Sequence, residues 1–279
     1  HTYRFSKGID MYANTLPNTI GQTSVYMFKP PYSDTHSGLG ALQMGVDGRD
    51  TAITGVSAAG SVAGPHLKVG YDGGLGGGFP GDIQEVVWFK DTLKQDDINK
   101  VETYLSLKFG TTLKHNYINA ANDVVFDTAV NAGYTSNIAG IAHEATNGGL
   151  DQRQSASVDA GNQVIISTTG LANTNAENAT GLTEGQFLIW GDNGLAKAPS
   201  VAISGVTGVN YRFSAVWKVQ NTSSVGTVRV AWPAGLSNLT LVQSSDPTFA
   251  TGNTETNMTA NTITVDGVNY NYADVTLAN

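Results

Sequence analysis

The chain has no cysteine. That removes disulfide scaffolds, thiolate zinc sites and cysteine nucleophiles together. It is also short of charge. Asp, Glu, Lys and Arg make up 14% of its 279 residues, against roughly a quarter in ordinary soluble domains. Cations are the scarcer sign, 15 Lys and Arg against 23 Asp and Glu, for a net charge of -8. With no basic stripe to displace phosphate counterions, nucleic acid is not a partner to expect, and anionic membrane surfaces are disfavoured. No apolar run approaches the roughly 18 residues that span a bilayer, so membrane insertion is not expected. Nothing at the start resembles an export signal. His1-Thr2-Tyr3-Arg4 reads as strand without an initiator Met, so the chain is expected to be a mature or excised piece whose signal lies elsewhere.

Catalytic signatures are missing too. There is no G-x-S-x-G elbow for a serine nucleophile. His143-Glu144 does not continue to H-E-x-x-H, because position 147 is Asn. The five histidines (His1, His36, His66, His115 and His143) are scattered without metal-ligand spacing; surface or turn positions are expected for them. The glycine run Gly73–Gly81 lacks the lysine and following helix start of a phosphate loop. Asp82 and Glu85, three apart on a candidate strand, would point to opposite faces, whereas a retaining glycosidase needs two carboxyls about 5 Å apart. The chain is expected not to be an enzyme.

What remains is 40% hydrophobic, with 33 glycines and a polar surface of Asn, Thr, Ser and Gln. This is a globular composition, with the residues that short turns favour. Apolar runs between Gly, Asn, Asp and Ser clusters predict strands at Ser24–Phe28, Leu67–Tyr71, Ile83–Phe89, Gln163–Ser167, Gln186–Trp190, Arg212–Val219, Thr227–Trp232, Thr240–Gln243, Thr262–Val265 and Ala273–Leu277. Alternation in Thr227–Trp232 puts Val228 and Val230 on one face and Arg229 on the other. One segment differs. From Gln95 to Phe109, Ile98, Val101, Leu105 and Phe109 recur at spacings of three or four, with Tyr104 alongside. Asp96 and Asp97 sit in the first turn, Lys108 in the last, and Gly110 follows as a stop. This predicts a single amphipathic helix. The fold class is therefore all-β: a jelly-roll or β-sandwich with one closing helix over residues 1–112, then a second Greek-key-like β-sandwich over residues 113–279.

The stretch Gly81-Asp82-Ile83-Gln84-Glu85-Val86-Val87-Trp88-Phe89, with Val101-Glu102-Thr103-Tyr104-Leu105-Ser106-Leu107-Lys108-Phe109-Gly110-Thr111-Thr112-Leu113, resembles the last strand and closing helix of laminin-G/concanavalin-A-like jelly-roll modules of bacterial surface proteins. Asn137-Ile138-Ala139-Gly140-Ile141, Leu150-Asp151-Gln152-Arg153-Gln154-Ser155, Phe187-Leu188-Ile189-Trp190-Gly191-Asp192-Asn193-Gly194 and Val216-Trp217-Lys218-Val219-Gln220 resemble the β-module that commonly follows. The resemblance covers roughly residues 65–279. It departs from the pattern before residue 65, where the usual opening strands are missing, and at Ser244–Phe249, where a loop often rich in Asp carries Asp246 alone.

The resemblance implies a non-catalytic adhesive or structural module of a large exported protein at the extracellular cell surface. Its partners would be neighbouring domains or subunits of the same surface protein, in one variant a filament. The alternative it leaves open is a carbohydrate-binding lectin module, in one form calcium-dependent. Rim loops of such folds hold sugars and ions, which makes Asp72 and Asp82, with Tyr71 as a stacking ring, the expected ligand-binding residues. Calcium takes roughly six to eight oxygens; the turn at Asp47-Gly48-Arg49-Asp50 offers Asp47 and Asp50 as metal ligands. Trp88, Trp190, Trp217 and Trp232 lie in apolar runs and are expected in the core.

Overall fold

The computed structural model describes residues 93–278 apart from 147, 160–163 and 205. From the earlier part of the chain it describes residues 2–5, 9–12, 22–29, 42–53, 57–58, 71–72, 77–78 and 81–89. The chain divides into two compact units, the first formed by His1–Asn18 and Tyr26–Gln95, the second by Thr19–Val25 and Asp96–Asn279. All described strand pairs are antiparallel, and one α-helix stands among them. The protein is all-β.

In the first unit, Thr2–Phe5, Ile9–Tyr12 and Ser57–Ala58 form one small sheet and Tyr26–Lys29, Leu42–Val46 and Arg49–Ile53 another. Tyr71–Asp72 pairs with Gly77–Gly78. The strand expected at Leu67–Tyr71 lies outside the described residues up to position 70. The strand expected at Ile83–Phe89 does not form: residues 82–89 join no ladder. Ile83, Val86, Val87, Trp88 and Phe89 are all exposed, Trp88 the most at 61%. A run that is apolar on both faces suits a strand covered on both sides. No described strand of this unit lies beside it, so its pattern goes unanswered and Trp88 stays out of the core.

The second unit is a three-layer stack. Its helix, α1 (Gln95–Phe109), is followed by β1 (Ser136–Glu144), β2 (Leu150–Gln152), β3 (Gln154–Ser155), β4 (Ile165–Thr168), β5 (Gln186–Asp192), β6 (Trp217–Thr222), β7 (Thr227–Pro233), β8 (Thr262–Val265) and β9 (Val268–Thr276). These build a four-stranded sheet in the order β2-β1-β5-β6 and a five-stranded sheet in the order β3-β4-β7-β9-β8. Alternation decides what lies between them. Ala139, Ile141, Leu188 and Trp190 from the first sheet meet Ile166, Val228, Val230, Trp232, Ala273 and Val275 from the second in one buried cluster. Arg229 points the other way, donating to both carboxylate oxygens of Asp274 at 2.8 Å, with its guanidinium 3.9 Å from the centre of the Tyr272 ring.

The opposite face of the four-stranded sheet, carrying Ile138, Ala142, Phe187 and Ile189, packs on Leu107, Leu113, Tyr117 and Phe126. The helix thus has the bounds its sequence predicts but a rotated face. Ile98, Glu102, Thr103, Ser106 and Leu107 are buried, while Val101 and Leu105 are only half-buried. Each polar member of the buried stripe has at least one partner, although Glu102 Oε1 is buried without one among the described residues. Glu102 meets His115 Nε2 at 2.8 Å, Thr103 Oγ1 accepts from the Ile118 amide at 3.1 Å, and Ser106 Oγ donates to the Thr111 carbonyl. Satisfied hydrogen bonds let polar residues turn inward. Gly110 ends the helix with φ +69°, its amide on the Ser106 carbonyl at 2.7 Å. A Cβ there would fall 2.2 Å from the Ala156 carbonyl oxygen. Past the Thr19–Val25 segment, the division of the chain falls between Gln95 and Asp96, and the boundary expected at 112–113 lies among residues that pack with the four-stranded sheet.

Candidate functional site

Asp47 and Gly48 have φ of 52° and 72° and link Val46 to Arg49. Positive φ at both central positions is the type I′ hairpin turn that Asp-Gly favours, so turn geometry accounts for Asp47. Asp50 pairs through its backbone with Gly45. Tyr71 and Asp72 pair with Gly78 and Gly77; their side chains, like that of Asp50, lie outside the described residues. Asp82 is exposed on the unpaired segment. These expected site residues are spread over two sheets and a segment that belongs to neither. Among the described residues no three His, Asp or Glu side chains gather as a metal-binding group. The lone acid of the Ser244–Phe249 loop, Asp246, accepts from the Thr248 amide and hydroxyl and from the Ala250 and Thr251 amides. The Thr248 bonds, foremost among these, hold its carboxyl below the ordinary carboxylate range.

A dense polar construction in the second unit stands where Leu150–Ser155 passes from one sheet to the other. Leu150, Asp151 and Gln152 pair with Glu144, His143 and Ala142 of β1. Past Arg153, Gln154 and Ser155 pair with Ser167 and Ile166 of β4. A strand that switches sheets makes a sandwich corner, and here the corner is tied with amides. Asn175 accepts the Arg153 and Gln154 amides at 2.6 and 3.3 Å and donates to the Asp151 carbonyl at 2.7 Å. Gln154 reaches the backbone of Ala172 in both directions, at 2.8 and 3.0 Å. Gln152 Nε2 donates to the Gln154 carbonyl at 2.6 Å.

An ionic cluster flanks the corner. Arg153 forks onto Asp151 (Nε–Oδ1 3.1 Å, Nη2–Oδ2 2.6 Å) and reaches the Asn178 carbonyl at 2.8 Å. His143 lies 3.1 Å from Asp151 and 3.6 Å from Glu184. Hydrogen bonding from Arg153 lowers the Asp151 carboxyl below its ordinary value. Glu144 moves the other way: burial raises it, the Ala120 amide opposes, and the nearby Glu184 charge adds to the rise. Both shifts follow from these contacts, and they fit a structural brace.

Beside the corner runs a groove of about 280 Å³. Buried Leu171 and Val265 and half-buried Phe109 and Ile165 line it, along with Gln152, Ser155, Asn173 and Asp266. A second hollow of about 210 Å³, reached by Tyr104 and Asp151, shares Lys108, Gln152 and Asn175 with it. Ser155 is 8% exposed, and its hydroxyl has no hydrogen-bond partner among the described residues. The motif Leu150-Asp151-Gln152-Arg153-Gln154-Ser155 is visible in sequence. Its role as a corner is not, because only the two sheets reveal the change of partner.

Residues 97–276 match the model of a family described as a domain of unknown function, DUF8202. No curated protein and no solved structure matches the chain.

Proposed function

The chain belongs to the DUF8202 family, and we propose that it is a non-catalytic structural and adhesive module of a large exported bacterial protein, displayed at the cell surface. The amide-tied corner supports this reading best. Asn175, Gln154 and Gln152 fix backbone through neutral hydrogen bonds. Such bonds do not carry the ionic-strength dependence of exposed charge pairs. A sandwich closed this way at low charge keeps its shape in the variable salt outside a cell, which suits a spacer or display unit.

The partners in this reading are adjoining domains or subunits of the same surface protein. The apolar run Ile83–Phe89, with five exposed large side chains, is the surface they would cover. Two measurements test the proposal. Antibodies against the purified chain should label intact cells of the source organism; signal that appears only after lysis would sink the surface role. Val86→Lys together with Trp88→Lys should abolish concentration-dependent association in sedimentation velocity, run with calcium and again with chelator. Association unchanged by the double substitution would remove that segment from the contact.

A further inference from the structure

From the groove beside the corner we infer a binding site for a neutral saccharide, on the second unit and not at the rim of the first. The argument rests on what the trough offers chemically. Its floor is apolar, from Leu171 and Val265, with the Phe109 ring at one side. Its remaining polar capacity is neutral or nearly so. Gln152 has committed its amide nitrogen to Gln154, leaving Oε1 as an acceptor. Asn173 Oδ1 takes the Asp266 amide at 3.0 Å, leaving Nδ2 as a donor. The Asp266 carboxylate makes no hydrogen bond to a described residue and accepts from hydroxyls. The Ser155 hydroxyl, on a residue more than nine-tenths buried, lines the same groove without a partner.

The Ser155 hydroxyl is not among the buried unpartnered atoms, so it stays open to the groove and can meet a ligand hydroxyl. Donor, acceptor and hydroxyl around an apolar floor match a ligand with hydroxyl edges and C–H faces. A phosphate ligand would want several cations, whereas the described lining of this groove holds Lys108 as its sole cation, along with the carboxylate of Asp266. A purely apolar ligand would leave the four polar groups desolvated. The shared wall of Lys108, Gln152 and Asn175 joins the second hollow to the first. That gives a trough with room for a short oligosaccharide, with Tyr104 toward its far end. The inference does not rest on the surface role, and labelling of cells can fail while the binding site stands.

The test uses the whole chain against an array of neutral mono- to tetrasaccharides of glucose, galactose, mannose and N-acetylglucosamine, followed by calorimetry on any hit. Asp266→Asn keeps a residue that tolerates the turn's φ of 47° and removes the charge; Ser155→Ala removes only the hydroxyl. Each should weaken binding about tenfold for Asp266→Asn and by about threefold or more for Ser155→Ala, the loss expected for one hydrogen bond, with the thermal midpoint held. An array silent throughout overturns the site. So does binding that both variants retain, or binding lost instead on Asp72→Ala with Asp82→Ala.

Discussion

Two backbone groups and a serine hydroxyl meet at one phenol. Tyr117 is fully buried, and its hydroxyl accepts the Leu113 amide at 2.9 Å, faces the Thr111 carbonyl at 3.3 Å and lies 3.2 Å from Ser106 Oγ. Its ring meets Phe126 edge-on, centroids 5.8 Å apart. Tyr117→Phe keeps the packing and strands a buried amide. It should cost about 1–3 kcal/mol, read as a lower urea midpoint at unchanged slope; a shift worth less than about 0.5 kcal/mol would show the amide finding another acceptor. A second residue-scale prediction concerns acid. The Asp151 carboxyl is depressed in the fold by Arg153. Its stabilisation is therefore complete above the ordinary value of 3.8 and is lost as pH falls through the lower folded value. The stability gap between the native chain and Asp151→Asn should be flat at neutral pH and close in that acid range. Glu144 has the opposite sign. Raised by burial, its ionisation works against the fold as pH climbs through and beyond 4.5, so Glu144→Gln should not reproduce the acid-range loss. A parallel closure of both gaps in thermal scans would contradict the assignment.

At the scale of elements, helix α1 depends on a bare spot in the sheet below it. A Cβ on Gly140 would lie 2.8 Å from Leu107 Cδ2 and 2.9 Å from Ile189 Cγ1. Gly140→Ala should therefore destabilise by about 1–3 kcal/mol, the usual cost of overpacking. Adding Leu107→Val should recover part of that, and the coupling appears in a double-mutant cycle of denaturant midpoints; strict additivity would mean the helix does not sit on that glycine. The sequence conveys such elements unevenly. Helical spacing and the stop at Gly110 were enough to place α1 from Gln95 to Phe109. Its inward face was not legible, because Glu102, Thr103 and Ser106 are admitted by His115, Ile118 and Thr111, partners past the end of the helix that helical spacing does not report. Strand β7 was legible down to the direction of Arg229, since one face packs a core and the other meets Asp274. Ile83–Phe89 reads as strand by the same rule and forms none, because periodicity reports what a segment could bury and not whether a sheet stands beside it.

For the whole molecule, the helix belongs to the packing that follows it. A fragment spanning residues 96–279 should unfold cooperatively, with native-like near-ultraviolet dichroism. One spanning 113–279 loses Leu107, which is fully buried. Emptying such a leucine site alone costs about 2–5 kcal/mol, so the shorter fragment should show no sharp transition in a thermal scan. Equal behaviour of the two would move the boundary back to residue 112. The sandwich class was legible in the turn-rich composition. The candidate site was not, since the groove is lined by residues from the helix end, the corner and the β8–β9 turn that no motif connects. The corner has one more consequence, for how the unit breathes. Because Leu150–Ser155 is a strand of both sheets at once, neither sheet can peel away at this edge without disturbing the other. Slow hydrogen exchange at Ile189 and at Val230, on different sheets, should then report one shared opening free energy, the behaviour of a single cooperative body and not of two stacked plates.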